Sequence, residues 1–173
     1  MKNHLGGHGN ICHTDEGILD YFIENHGVRS FIDIGCGTGE MALMAYEKGL
    51  RANCVDGDDS IDRNIDCVIH DFTEGSLKLA PHDLSWCVEF LEHVKDIFIH
   101  NFMSSFNSKF IVVTHALPGK NGHHHVNCQY PDYWIRIFNG YGYKLDDELT
   151  QKIKSVSTMK REFIQNTGLC FRR

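Results

Sequence analysis

Residues 28–40 read Val-Arg-Ser-Phe-Ile-Asp-Ile-Gly-Cys-Gly-Thr-Gly-Glu, and the rest of the chain can be ordered around them. Phe31, Ile32 and Ile34 form a short apolar run that predicts a buried strand. Gly35, Gly37 and Gly39 follow at alternate positions, and Met41, Ala42, Leu43, Ala45 and Tyr46 then recur in a helical pattern. Strand, glycine turn and helix in that order make a site for a nucleotide-like ligand. Glycine lets the backbone turn sharply and lie close to a ligand, while the start of a helix presents unpaired N–H groups.

Two kinds of nucleotide site compete for this loop. A dinucleotide fingerprint requires G-x-G-x-x-G with a pyrophosphate on the helix N-terminus. Here the spacing is G-x-G-x-G, and Asp33 precedes it at the end of the strand. An acid in that place repels a pyrophosphate but holds an ammonium group at close range.

Working outward, a helix capped by Thr14 or Asp15 carries Ile18, Leu19, Phe22 and Ile23 at helical spacing and stops at Gly27. Residues 1–14 form a glycine- and histidine-rich lead-in expected to be flexible. A second strand over 51–55 ends in Asp56, which follows the glycines by about 20 residues, the spacing at which an acid meets a ribose in such folds. One carboxylate accepting from two vicinal hydroxyls is the chemistry needed there, and Asp58 and Asp59 are expected to matter much less.

A third run, 66–69, leads to Asp71 and Phe72, where an acid can accept from an adenine amino group while a ring packs on the base. A fourth strand over 84–88 opens into Glu89, Glu92 and His93, and a fifth covers 110–114. A long loop with His115, His123, His124 and His125 comes next. Beyond it lie a helix from Pro131 with Tyr133, Trp134, Ile137 and Phe138 on its apolar side, a strand over 143–145, a helix over 149–156 and a last strand over 167–171. Strands alternating with helices predict an α/β domain with a mainly parallel sheet covered on both faces. Asp33, Asp56, Asp71, Glu89 and His115 each follow a strand, so the polar candidates converge on one sheet edge.

Length and composition limit the partners. At 173 residues the chain is expected to be one domain spanning 1–173. The formal net charge of −6 argues against a broadly basic nucleic-acid-binding surface. Seven cysteines without C-x-x-C spacing argue for a reducing, cytoplasmic setting. No apolar run approaches a membrane span, and the polar first residues do not resemble a signal peptide.

The pattern Asp33-Ile-Gly-Cys-Gly-Thr-Gly closely resembles the first motif of class I S-adenosylmethionine-dependent methyltransferases. The run from Asp83 to Val94, Asp-Leu-Ser-Trp-Cys-Val-Glu-Phe-Leu-Glu-His-Val, independently resembles the fourth motif of many small-molecule members, closest to the compact type 11 group. The resemblance implies a Rossmann-like, doubly wound seven-stranded sheet, mainly parallel with an antiparallel last strand and helices on both faces. It implies cofactor contacts at Asp33, Gly35, Cys36, Gly37, Gly39, Asp56, Asp71 and Phe72, with Glu89 nearby. The cofactor implied is S-adenosylmethionine, with S-adenosylhomocysteine as product, and the reaction is methyl transfer to a small molecule, more often at oxygen than nitrogen. An RNA 2′-O-methyltransferase and a non-catalytic cofactor-binding protein are the alternatives.

Three readings of the histidine loop stay open. It is exposed polar surface, or it binds the acceptor and supplies a base, or it joins a metal site. Methyl transfer to a hydroxyl requires removal of a proton, and histidine titrates near neutral pH. His93 and His124 are therefore the catalytic candidates, and alternation in an extended segment sends His124 inward and its neighbours outward. His115, Tyr130 and Trp134 are the candidate acceptor contacts. No metal ligand is assigned. Glu89, Glu92 and His93 share one face if their turn is helical, however, and the same Glu-x-x-Glu-His string occurs in metal-dependent O-methyltransferases, so a divalent cation is an alternative.

Overall fold

The structure, a computed structural model, describes residues 4–5 and 11–173. Most of the lead-in expected over 1–14 lies outside the described residues. Seven strands form one sheet: β1 Ser30–Ile34, β2 Arg51–Asp56, β3 Cys67–Ile69, β4 His82–Cys87, β5 Ser108–Val113, β6 Lys144–Leu145 and β7 Leu169–Arg172. Their order is β3-β2-β1-β4-β5-β7-β6. β7 runs antiparallel to both of its neighbours and the other pairs are parallel.

β1 is central, and all five of its residues are buried. Its side chains alternate between two apolar layers, as the period of a strand requires. Phe31 joins one layer with α1 (Glu16–His26), α2 (Glu40–Glu47), α5 (Asp147–Val156) and α6 (Phe163–Thr167). Ile32 and Ile34 join the other, with α3 (Ile99–Met103) and α4 (Pro131–Gly140). Burial of such side chains contributes about 1.5–3 kcal/mol each, so the central strand is a rigid base for the loop that follows it. Among the described residues no helix is long and apolar enough to cross a membrane.

Local chemistry explains the helix ends. Asp15 caps α1 by accepting from Ile18 N at 3.0 Å, and Gly27 closes it in the left-handed region at φ 63°. The Asp15 carboxylate also accepts from Thr158 N at 3.0 Å and from Ser157 Oγ, which fastens the start of α1 to the end of α5. Between β2 and β3 the chain forms a loop without a helix. After β4, two 3₁₀ turns (Leu91–His93 and Asp96–Phe98) precede the short α3. α6 has no counterpart in the sequence reading, because five residues give too few turns to show a period.

Candidate active site

The chain runs outward from β1 to β2 and β3, then crosses back to β4 on the other side. At this switch in strand order a cleft of about 510 Å³ opens beyond the carboxyl ends of the strands. Its walls include Asp33, Gly35, Cys36 and Gly37 from the loop after β1, and Asp56 and Gly57 at the end of β2. Asp71 and Phe72 follow from β3, Glu89 and His93 from β4, and His123 and His125 from the loop after β5.

The glycine loop is held in a shape that side chains resist. Gly35, Gly37 and Gly39 have φ of 79°, 54° and 80°. A Cβ on Gly35 would lie 2.3 Å from the Phe90 ring. Gly35 N and Cys36 N both donate to Val55 O, at 2.9 and 3.2 Å. Gly37 N donates to Asp56 Oδ2 at 2.8 Å, while Arg63 Nε donates to Gly37 O at 2.7 Å. Arg63 also reaches Asp58 O at 2.9 Å and lies 3.5 Å from Asp56. No motif in the sequence marks Arg63, whose role comes from the fold of the β2–β3 loop.

Two acids face this end of the cleft. Asp33 is buried, and burial together with neighbouring Asp56 pushes its carboxyl well above the usual range. Burial also raises Asp56, against the opposing effect of the Asp58 and Gly37 amides and of Arg63. Two desolvated carboxyls beside a glycine cradle suit a ligand carrying positive charge and vicinal hydroxyls, the chemistry that S-adenosylmethionine presents. A carboxylate oxygen has a second lone pair, so Asp56 can accept from hydroxyls while holding its amides.

Asp71 accepts from Thr73 N at 2.9 Å and Thr73 Oγ1 at 2.7 Å, and His4 Nε2 lies 2.9 Å from its other oxygen. Phe72 is buried and stands edge-on to Phe90, with centroids 5.8 Å apart. Glu89 has φ 56°, and Thr114 Oγ1 donates to its Oε1 at 2.9 Å. The left-handed backbone at Glu89 breaks the single helical face expected for Glu89, Glu92 and His93. Gly39 does not line the cleft. It precedes α2, where a Cβ would meet Ile65 at 2.9 Å.

At the other end, Glu92 is fully buried, and among the described residues neither of its carboxyl oxygens has a hydrogen-bond partner. Burial, with Glu89 adding to it, pushes its pKa up to about 8. Burial, and then His125, lowers His93 to about 4, so its imidazole is neutral at pH 7. Glu92, His93 and His125 each offer an atom within 4.8 Å of the others. The backbone explains the meeting: Val126 N and Asn127 N both donate to Glu92 O, at 2.9 and 3.0 Å, drawing the loop onto the turn after β4.

Four residues expected on the acceptor side lie away from the cleft wall. His124 does not line the cleft, whereas His123 and His125 do. The segment is a turn with His124 left-handed at φ 47°, so the alternation of an extended chain does not apply. His124 instead faces His4, with centroids 6.0 Å apart. His115 is buried beyond β5 with its N donating to Thr167 Oγ1 at 3.4 Å, away from the cleft wall. Tyr130 is exposed at the start of α4. Trp134 lies fully buried in the core, because the apolar side of α4 packs on the sheet.

The chain has the fold of the class I S-adenosylmethionine-dependent methyltransferases. The methyltransferase domain of bacterial CtHen1-C matches at TM-score 0.60 and 14% identity, over 90% of this chain and 94% of that one. An S-adenosylmethionine-dependent methyltransferase from Mesorhizobium loti matches at TM-score 0.58 and 12% identity, covering 90% and 95%. The magnesium protoporphyrin IX methyltransferase ChlM from Synechocystis, solved with S-adenosylhomocysteine bound, matches at TM-score 0.58 and 11% identity, covering 89% and 78%. No protein-family model and no curated protein matches the sequence.

Proposed function

We propose that this chain is an enzyme that moves a methyl group from S-adenosylmethionine to a hydroxyl oxygen of a small-molecule acceptor. The observation that carries the proposal is the pair of acids, buried Asp33 and half-buried Asp56, on a glycine cradle at the switch in strand order. S-adenosylmethionine, when bound, supplies an electrophilic methyl group on a sulfonium, open to in-line displacement by the acceptor oxygen. Asp33 balances the ammonium charge, Asp56 accepts from the ribose hydroxyls, and Asp71 and Phe72 receive the base. Positioning of the two reactants supplies most of the rate. His93, kept neutral by burial, or His125 beside it accepts the acceptor's proton. In this reading residues 1–173 act as one domain, and the seven free cysteines suit a reducing, cytoplasmic setting.

The carboxyl of Glu92, without a hydrogen-bond partner among the described residues, favours a second reading of the acceptor end. Glu92, His93 and His125 would hold a divalent cation, which would lower the pKa of an acceptor hydroxyl. Glu89 stands outside that group, engaged with Thr114. A ribose hydroxyl of RNA is the alternative acceptor, and the net charge of −6 weighs against it. Calorimetric titration with S-adenosylmethionine, followed by a screen of hydroxylated small molecules for S-adenosylhomocysteine release, tests the proposal. Absence of cofactor binding overturns it. Binding without turnover on any acceptor class leaves a non-catalytic cofactor-binding protein, and salt-sensitive turnover on RNA selects the alternative acceptor.

A further inference from the structure

Beside the glycine loop lies a cluster of three thiol side chains to which the proposed function assigns no chemical step. Cys36 belongs to the loop itself, Cys54 to β2, and Cys67 is the first residue of β3. Cys54 and Cys67 are register partners on neighbouring parallel strands, and the turn after β1 carries Cys36 over them. The Cys36 and Cys67 sulfurs lie 3.6 Å apart, and all three sulfurs lie within 4.8 Å of one another. None of the three is in a disulfide.

Zinc–thiolate bonds are about 2.3 Å long, and a tetrahedral arrangement then separates the sulfurs by about 3.8 Å. The Cys36–Cys67 pair stands at nearly that spacing, at 3.6 Å, and the Cys54 sulfur lies within 4.8 Å of both. A disulfide would require two of the sulfurs to close to about 2.0 Å and would leave the third unused. We propose that Cys36, Cys54 and Cys67 form a three-thiolate site for a soft divalent cation of the zinc and cadmium class, with one coordination position left for water. Soft thiolate ligands select such cations over magnesium or calcium.

Binding forms three metal–sulfur bonds and releases to solvent the protons of those thiols that are neutral beforehand. Cys67 is the readiest thiolate of the three. The neighbouring thiols of Cys36 and Cys54, and then the Arg63 guanidinium, favour its charge and hold its pKa low. Because Cys36 sits between Gly35 and Gly37, a bound cation ties the cofactor loop to β2 and β3. This site is separate from the Glu92, His93 and His125 group and does not depend on the methyltransferase reading.

The test is titration of the reduced, chelator-treated full chain with cadmium ion. The ultraviolet thiolate-to-cadmium band should grow to one equivalent and stop. Cys67→Ser and Cys36→Ala should each remove most of the band, and His125→Ala should leave it unchanged. A measurement in the His125→Ala chain needs no change within the triad. There, one equivalent of zinc ion should slow iodoacetamide alkylation of half-buried Cys67 several-fold and leave Cys128 alkylation unaltered. Absence of the band, a band indifferent to Cys67→Ser and Cys36→Ala, or unchanged alkylation of Cys67 would each show that the three thiols only pack against one another.

Discussion

The imidazole of His125 stands edge-on to that of His93, with ring centroids 5.0 Å apart and planes at 81°. The contact joins the long loop after β5 to the short turn after β4, so this end of the cleft is built from two separate segments. Both rings line the cleft, and His124 does not.

His125→Ala should therefore lower turnover and leave S-adenosylmethionine affinity nearly unchanged, the pattern of a group acting on the acceptor. His124→Ala should change neither. Steady-state kinetics beside calorimetric titration decide the matter, and equal effects from the two substitutions would contradict the geometry.

Glu92 and His93 give the stability a pH signature in metal-free protein. The folded chain keeps a proton on Glu92 up to about pH 8, whereas the ordinary carboxyl loses it near 4.5, so this group makes stability fall as pH rises through that window. His93, lowered from 6.5 to about 4, makes stability rise with pH between those values. Of these two groups, only Glu92 still acts between pH 6.5 and 8. Glu92→Gln should remove the Glu92 part of the slope, which integrates to roughly 3–5 kcal/mol over its full window. Denaturant titrations at several pH values check the slope, and a divalent cation bound at Glu92 should flatten it in the unaltered chain.

Asp56→Ala should weaken cofactor binding by roughly 2–4 kcal/mol, because charge-assisted bonds to the ribose are lost along with the anchor on Gly37 N. Asp59, which is exposed, is the suitable control and should cost almost nothing. Asp58 is not one: it is buried, and its Oδ1 accepts from Ser60 N at 2.9 Å and from Ser60 Oγ at 2.6 Å. Titration calorimetry separates these cases.

Gly35 and Gly49 share a left-handed backbone, at φ 79° and 84°, but only Gly35 has a neighbour in the way of a Cβ. Gly49→Ala should cost about 1–2 kcal/mol of stability from the backbone alone. Gly35→Ala must also displace the Phe90 ring, so it should cost more, about 2–4 kcal/mol, and lower cofactor affinity as well. Urea unfolding of the two variants with unchanged m-values is the measurement.

Most of the cleft end around the glycine loop was legible in the sequence because its residues are local. A buried strand, three glycines and an acid at the strand's end are fixed by neighbours in the chain, and the strand–helix alternation then places Asp56, Asp71 and Glu89 on the same edge. The antiparallel β7 and the two apolar layers agree with that reading. The opposite end, around His93 and His125, was not legible. His125 reaches His93 only because two amides of its loop converge on the Glu92 carbonyl, and the left-handed turn at His124 inverts the expected alternation. Trp134 showed helical periodicity, which does not reveal which layer its apolar side meets, and the sheet took it into the core. Arg63 and the three thiols carried no local signal, since their meeting depends on strand register and on the turn after β1. Local pattern thus determined the strand, the loop and the order of elements, while long-range packing alone decided which side chains share a wall.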